Sequence, residues 1–331
     1  MMSNEVWNAE RLLRTSGSYW EACTLHTGVC LEVFTHLGDE RLTAGDLAAK
    51  IGGSVRGASM LLNALTAMGL LIKRDNHYAN TAEGKVLLMK DSPRYCGSMI
   101  LHHAVLINYW SRLPQAVTSG QPVKTVPYKD DDERETFLMG MFNLAMASAP
   151  RIAELIDLSG RHHLLDLGGG PGTYAIHFCI ANPELKAAIF DFPESRACAL
   201  RIVKQFNLED RVDFMAGNYL DEKIGGAYDV AWLSHILHAE GENDCKKIIQ
   251  KTVSAMEPGG LILVHDFILD DSQDNPLFPA LFGLNMLINT PQGQSYSGAQ
   301  IKDMLCTAGV KDVKRIPYRG PNDAGIICGT K

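Results

Sequence analysis

Leu164-Leu165-Asp166-Leu167-Gly168-Gly169-Gly170-Pro171-Gly172 is the stretch on which the fold turns. Strand-type residues run straight into a glycine turn, and helical spacing resumes over 174–180. Strand, glycine turn and helix in that order form a nucleotide-type fingerprint, because glycines let backbone amides approach a ligand at a helix N-terminus. Asp191, nineteen residues past Gly172, closes the next apolar stretch, where a carboxylate suits a ribose diol. Gly-Gly-Gly-Pro-Gly is not the G-x-G-x-x-G of a dinucleotide site. No Gly-Lys-Ser/Thr follows, which excludes a P-loop. Spacing alone leaves the adenosine-containing ligand open, with a mild preference for one that lacks phosphate.

Outward from this turn the same alternation continues. The apolar stretch 187–190 ends at Asp191, 212–215 at Gly217-Asn218, 228–233 near His235, and 261–264 at Asp266. Between them, 193–207 and 243–256 have helical length and spacing. Strands alternating with helices predict a doubly wound, mostly parallel α/β sheet covered on both faces. Right-handed crossovers then bring every strand tip to one rim, where ligands bind.

The first hundred residues read differently, as short helices with a hairpin at the end. Residues 31–34 close one helix at Gly38-Asp39, and Thr43 caps the next. Ser54 caps a third, with apolar positions at Met60, Leu61, Ala64, Leu65 and Met68. A hairpin then turns at 74–76 and returns through Tyr78. This is the outline of a winged helix. Its third helix carries one basic residue, Arg56, whereas a groove reader needs several donors to bases and phosphates. Protein packing is the better use of it. From 97 to 150 the pattern stays helical, with Pro114, Pro122 and Pro127 as interruptions and 130–133 as an acidic helix start. Met139, Met141, Phe142 and Met146 form a stripe that pattern alone reads as core.

Composition narrows the function. Against 38 Asp+Glu stand 31 Lys+Arg, a net −7 that argues against coating nucleic acid or an anionic membrane. The reading predicts no export signal, no membrane span and a cytoplasmic setting, with the eight cysteines as reduced thiols. Cys23, His26 and Cys30 suit one face of an apolar helix, and no metal requirement is visible.

At this point the residues carry a resemblance. The glycine stretch, Phe190-Asp191-Phe192-Pro193, Ala216-Gly217-Asn218-Tyr219 and Ile236-Leu237-His238 resemble successive motifs of class I S-adenosylmethionine-dependent small-molecule O-methyltransferases. Phe142-Asn143-Leu144-Ala145-Met146, Leu284-Asn285-Met286-Leu287 and Pro291-Gln292-Gly293 add to the match. The resemblance covers nearly the whole chain. It implies a seven-stranded Rossmann-like domain over 156–331, a helical linker contributing to the substrate pocket over 98–155, and a winged-helix dimerisation domain over 1–97, hence a homodimer.

The resemblance also implies roles. S-adenosyl-L-methionine, leaving as S-adenosyl-L-homocysteine, would lie against Asp166, Gly168, Gly169, Gly170 and Gly172. Asp191 would take the ribose and Asn218 and Tyr219 the adenine, with Phe192, Gly217, Ser234 and His235 as further cofactor contacts. Phe142, Met146, Leu284 and Met286 would line the acceptor pocket. His238 would be the general base, since an imidazole can take the proton of a phenol as its oxygen attacks, and Asp266 would orient it. The chain departs from the family pattern at Asn218 (usually Asp), at His238-Ala239-Glu240 (commonly His-Asp-Trp), at Ser234-His235 (where a Lys or Arg often stands just before the histidine segment) and at Ser295, where plant enzymes carry an acid. The leading expectation is methyl transfer to a hydroxyl of an aromatic or polycyclic metabolite. Its rivals are C- or N-methylation on the same fold, a nicotinamide-dependent oxidoreductase, and a winged-helix regulator that senses a small molecule.

Overall fold

The computed structural model describes residues 6–124 and 128–331; Pro127, read above as an interruption, lies outside them. The chain divides into two compact units, Met1–Leu106 and Ile107–Lys331.

In the first unit the sequence-predicted helix across 31–34 is two helices, Tyr19–Cys30 and Val33–Leu37. Glu32 breaks them apart with a left-handed backbone at φ 49°. The break swings Val33, Phe34 and Leu37 inward, and all three are fully buried, a gain of roughly 1.5–3 kcal/mol for each large side chain. Thr43 starts Ala44–Lys50 through a reciprocal capping box with Asp46, and Ser54 caps Val55–Ala67 by accepting from the Gly57 amide. That helix buries Ala58, Leu62 and Leu65; of the apolar positions in the predicted spacing, Met60 and the C-cap residue Met68 are exposed, because the inward face is rotated from that stripe. Strands β1 (Leu42–Thr43), β2 (Leu71–Arg74) and β3 (His77–Asn80) form a small sheet in the order β1-β3-β2. The hairpin turns on Asp75 and Asn76, both at positive φ, the backbone that a two-residue turn between twisted strands demands.

In the second unit Pro114 opens the helix Leu113–Ser119 rather than interrupting one, since its missing N–H would have no partner in the first turn anyway. Asp130 caps Asp131–Met146, with three further acids in its first turn. The large sheet comprises β4 (His163–Leu167), β5 (Lys186–Asp191), β6 (Val212–Ala216), β7 (Tyr228–Ser234), β8 (Met256–Phe267), β9 (Lys311–Arg315) and β10 (Ala324–Thr330). Its order is β6-β5-β4-β7-β8-β10-β9, parallel except where β10 runs against both neighbours. Alternate residues point to opposite faces, and both faces are apolar. Leu164, Ile189, Val230 and Trp232 join one core, and Leu165, Leu167, Leu233 and Val264 the other. The chain walks outward from β4 to β6 and restarts at β7 on the other side. This reversal opens a crevice at the tips of β4 and β7, the place where such sheets take ligands.

Candidate active site

The glycine turn after β4 is built so that side chains cannot enter it. A Cβ on Gly172 would lie 2.2 Å from Ile189 Cδ1 on β5, and its φ of +75° strains any other residue. A Cβ on Gly169 would press on the Asp166 carboxyl at 2.7 Å. Gly168 and Gly170 also take positive φ, and residues 168–170 stay half-exposed beside this buried wall. Behind the turn the helix Thr173–Ala181 begins, its N-terminal amides directed at the crevice.

Two aspartates close this cradle. Asp166 Oδ2 accepts from the Ala175 amide at 3.2 Å, while Oδ1 is buried without a partner among the described residues; burial pushes the carboxyl up to about 7. Asp191 Oδ2 accepts from the Gly170 amide at 2.6 Å; its Oδ1 accepts from the Phe192 amide at 2.6 Å and the Ser195 hydroxyl at 3.1 Å. Burial raises it too, against those hydrogen bonds. Phe192 is 36% exposed, and its ring centroid lies 5.1 Å from that of Tyr219. Thr173 Oγ1 is a further buried, unpartnered polar atom at the helix start, which no sequence motif singled out. Gly217 stands at the tip of β6 with its amide on the Asp191 carbonyl. Asn218 spends its amide locally: Oδ1 accepts from the Leu220 amide and Nδ2 donates to Asp221.

At the tips of β7 and β8 the structure brings His238, His235 and Asp266 together. His238 sits in a 3-10 turn, Leu237–Ala239, and its Nδ1 lies 2.6 Å from Asp266 Oδ1. That oxygen also accepts from the Phe267 amide at 2.8 Å. Burial alone would raise the Asp266 carboxyl, but the two imidazoles, His238 foremost, hold it well below the usual carboxylate range. An ionised carboxylate only accepts, so the proton stands on His238 Nδ1 and the basic lone pair on Nε2. His235, at φ 55°, sets its Nδ1 3.5 Å from the same Asp266 oxygen. Ser234 is engaged with His265, Oγ to Nδ1 at 2.9 Å, and burial holds that imidazole well below its ordinary pKa.

Aromatic rings surround the dyad, and sequence reasoning missed them. Phe282 meets His238 edge-on with centroids 4.7 Å apart, Phe267 lies 4.4 Å from the His235 ring, and Phe278 and Phe282 each stand 4.9 Å or less from Phe267. Phe278 and Phe282 are one turn apart on Leu277–Asn289. That i, i+4 spacing is the one signal that could have found them. The same helix carries half-buried Leu284 and buried Met286. Phe142 is partly buried against the core of the sheet, and Met146 places its sulfur 3.3 Å from His177 Nε2.

With this geometry in place, comparison with known proteins decides the family. Residues 108–311 match the O-methyltransferase domain, and residues 13–90 match the O-methyltransferase dimerisation domain. The chain belongs to the S-adenosylmethionine-dependent O-methyltransferase family. It is similar to the 3-hydroxy-5-methyl-1-naphthoate 3-O-methyltransferase of Streptomyces sahachiroi, 30% identical over 94% of this chain and 92% of that protein. The tetracenomycin polyketide synthesis 8-O-methyl transferase TcmO of Streptomyces glaucescens is also 30% identical, over 95% of each. Human N-acetylserotonin methyltransferase, solved in complex with S-adenosylmethionine, superposes with a TM-score of 0.88 at 25% identity, covering 100% of this chain and 99% of that one. The cradle of this methyltransferase fits its cofactor. The unpartnered Asp166 oxygen suits a cationic group, the glycines leave room at the helix start, and Asp191 offers a second buried carboxylate beside the turn. Among the described residues no helix is long and apolar enough to cross a membrane.

Proposed function

We propose that this methyltransferase acts on a hydroxyl of a flat aromatic or polycyclic small molecule, with His238 as general base and Asp266 as the group that orients it. The observation that carries the reading is the 2.6 Å contact between His238 Nδ1 and a buried, ionised Asp266, which leaves Nε2 basic. The chemistry supplied by bound S-adenosylmethionine is a sulfonium-borne methyl electrophile. Asp166, the glycine turn, Asp191, Phe192 and Tyr219 would hold it. Nε2 of His238 would take the acceptor's hydroxyl proton as the oxygen attacks, and Asp266 would stabilise the resulting imidazolium. Phe267, Phe278 and Phe282 would exclude water and stack a planar ring, as apolar pockets with few polar anchors do. The names of the two Streptomyces relatives, a hydroxynaphthoate methyltransferase and a polyketide methyltransferase, support an acceptor of that class.

The test is a panel of hydroxylated naphthoates and polyketide phenols assayed with wild type and His238→Ala. Turnover should fall about 10²–10⁴-fold in the variant while S-adenosylhomocysteine affinity, read by calorimetry, stays within about twofold. Undiminished turnover would remove His238 from the proton path. The dimerisation-domain match and the exposed apolar side chains of Trp7, Leu13 and Trp20 support a homodimer, for which light scattering should give twice the chain mass.

A further inference from the structure

The side chains that meet at the tips of β7 and β8 suit a second kind of ligand. His235, His238 and Asp266 each present one ligand atom, and the three atoms lie within 4.8 Å of one another. Two imidazoles and a carboxylate are a donor set for Zn2+ and neighbouring divalent transition metals, and three protein ligands leave a fourth position open. His235 supplies an independent observation. Its Nδ1 is buried without a hydrogen-bond partner among the described residues, and at 3.5 Å from Asp266 Oδ1 it is too far for a good N–H···O bond. Leaving a buried polar atom in that state is costly, and a cation placed between it and the carboxylate would relieve that cost.

We propose that His235, His238 and Asp266 form a three-ligand site for a divalent transition-metal ion, Zn2+ foremost, and that filling it switches off the base. Coordination needs the Nδ1 lone pair of His238. The single ring proton, which stands on Nδ1 opposite Asp266, therefore moves through solvent to Nε2. An imidazole with its proton on Nε2 cannot accept one from a hydroxyl. The Asp266 oxygen that oriented the ring turns to the ion instead, and no net proton is gained or lost by the ring. His235 is the residue that distinguishes this arrangement from an ordinary base–carboxylate pair, because two ligands alone hold such an ion weakly. Only the switching effect rests on the proposed role of His238; the site itself rests on the three donors.

The full-length enzyme, without acceptor, is titrated calorimetrically with ZnCl2 and, separately, with CoCl2 followed by visible absorption. One equivalent should bind, and the cobalt spectrum should show d–d bands without sulfur-to-metal charge transfer. His235→Ala and Asp266→Asn, each shown to be folded by circular dichroism, should bind Zn2+ at least on the order of 10–100-fold more weakly, the range already seen for loss of a ligand's mere supporting partner. Equal zinc affinity in both variants, or charge-transfer absorption that places the ion on cysteines, overturns the site. Wild-type turnover should fall in proportion to zinc occupancy and return on adding EDTA; full turnover with the site filled overturns the switch. The turnover of His238→Ala in metal-free buffer separately decides whether His238 is the base.

Discussion

Three buried aspartates stand at strand tips along one rim, and they are not in the same electrical state. Asp166 on β4 and Asp191 on β5 are pushed up by burial, the first to about 7. Asp266 on β8 is equally buried yet held low. What faces each carboxylate explains the difference. Asp166 has one backbone amide and an oxygen with no partner, and Asp191 has two amides and a hydroxyl. Asp266 has imidazoles that can carry a full positive charge. Dipoles only partly offset the loss of water around an anion; an adjacent cation can overcome it. At the dyad end the carboxylate is therefore satisfied by its own neighbours, whereas the Asp166 oxygen at the cradle end has no partner among the described residues.

Asp266→Asn breaks this contrast most directly. Without an anion on Nδ1 the preferred ring tautomer is lost, and turnover should fall about 10²–10⁴-fold with S-adenosylhomocysteine affinity unchanged. Parallel loss of turnover and affinity would show that the two ends are not separable. Asp191→Ala should do the reverse. Losing hydrogen bonds to a charged group, about 1.5–3 kcal/mol, should weaken S-adenosylhomocysteine binding roughly 10–150-fold in calorimetry, with turnover at saturating cofactor far less affected.

The smallest effect is on stability. The folded state keeps the Asp166 proton up to about pH 7, whereas the unfolded chain releases it near pH 3.9. Across that window the native state binds more protons, so stability declines as pH rises from about 4 to about 7. Asp166→Asn cannot titrate. Its stability relative to wild type, from urea unfolding, should improve steadily over that window, and a pH-independent difference would refute the assignment.

The strand tips are legible in the sequence because each apolar run is cut by glycine or a carboxylate, and the caps at Thr43 and Ser54 because their partners lie three residues on. Asp266 and His238, twenty-eight residues apart, could be paired only through the resemblance, since nothing local links them. The break at Glu32 carries no glycine or proline to announce it; only burial of Val33, Phe34 and Leu37 accounts for it. The link from Ser234 to His265 depends on the parallel register that sets them side by side on β7 and β8. The aromatic wall was hidden for a similar reason: Phe267 and the pair Phe278 and Phe282 reach the histidines through packing, and packing has no period of its own.

Strand β10 lies alongside β8 with Gly325 opposite Asp266 and Ile326 opposite His265. Every side chain proposed to act in the reaction precedes that strand in the chain. A nascent chain reaching only to residue 320 therefore holds every proposed reacting group but lacks the rail against which β8 is aligned. Alignment of β8 on that side arrives only with β10, so a chain cut at residue 320 should lose turnover even though none of the proposed reacting groups is missing.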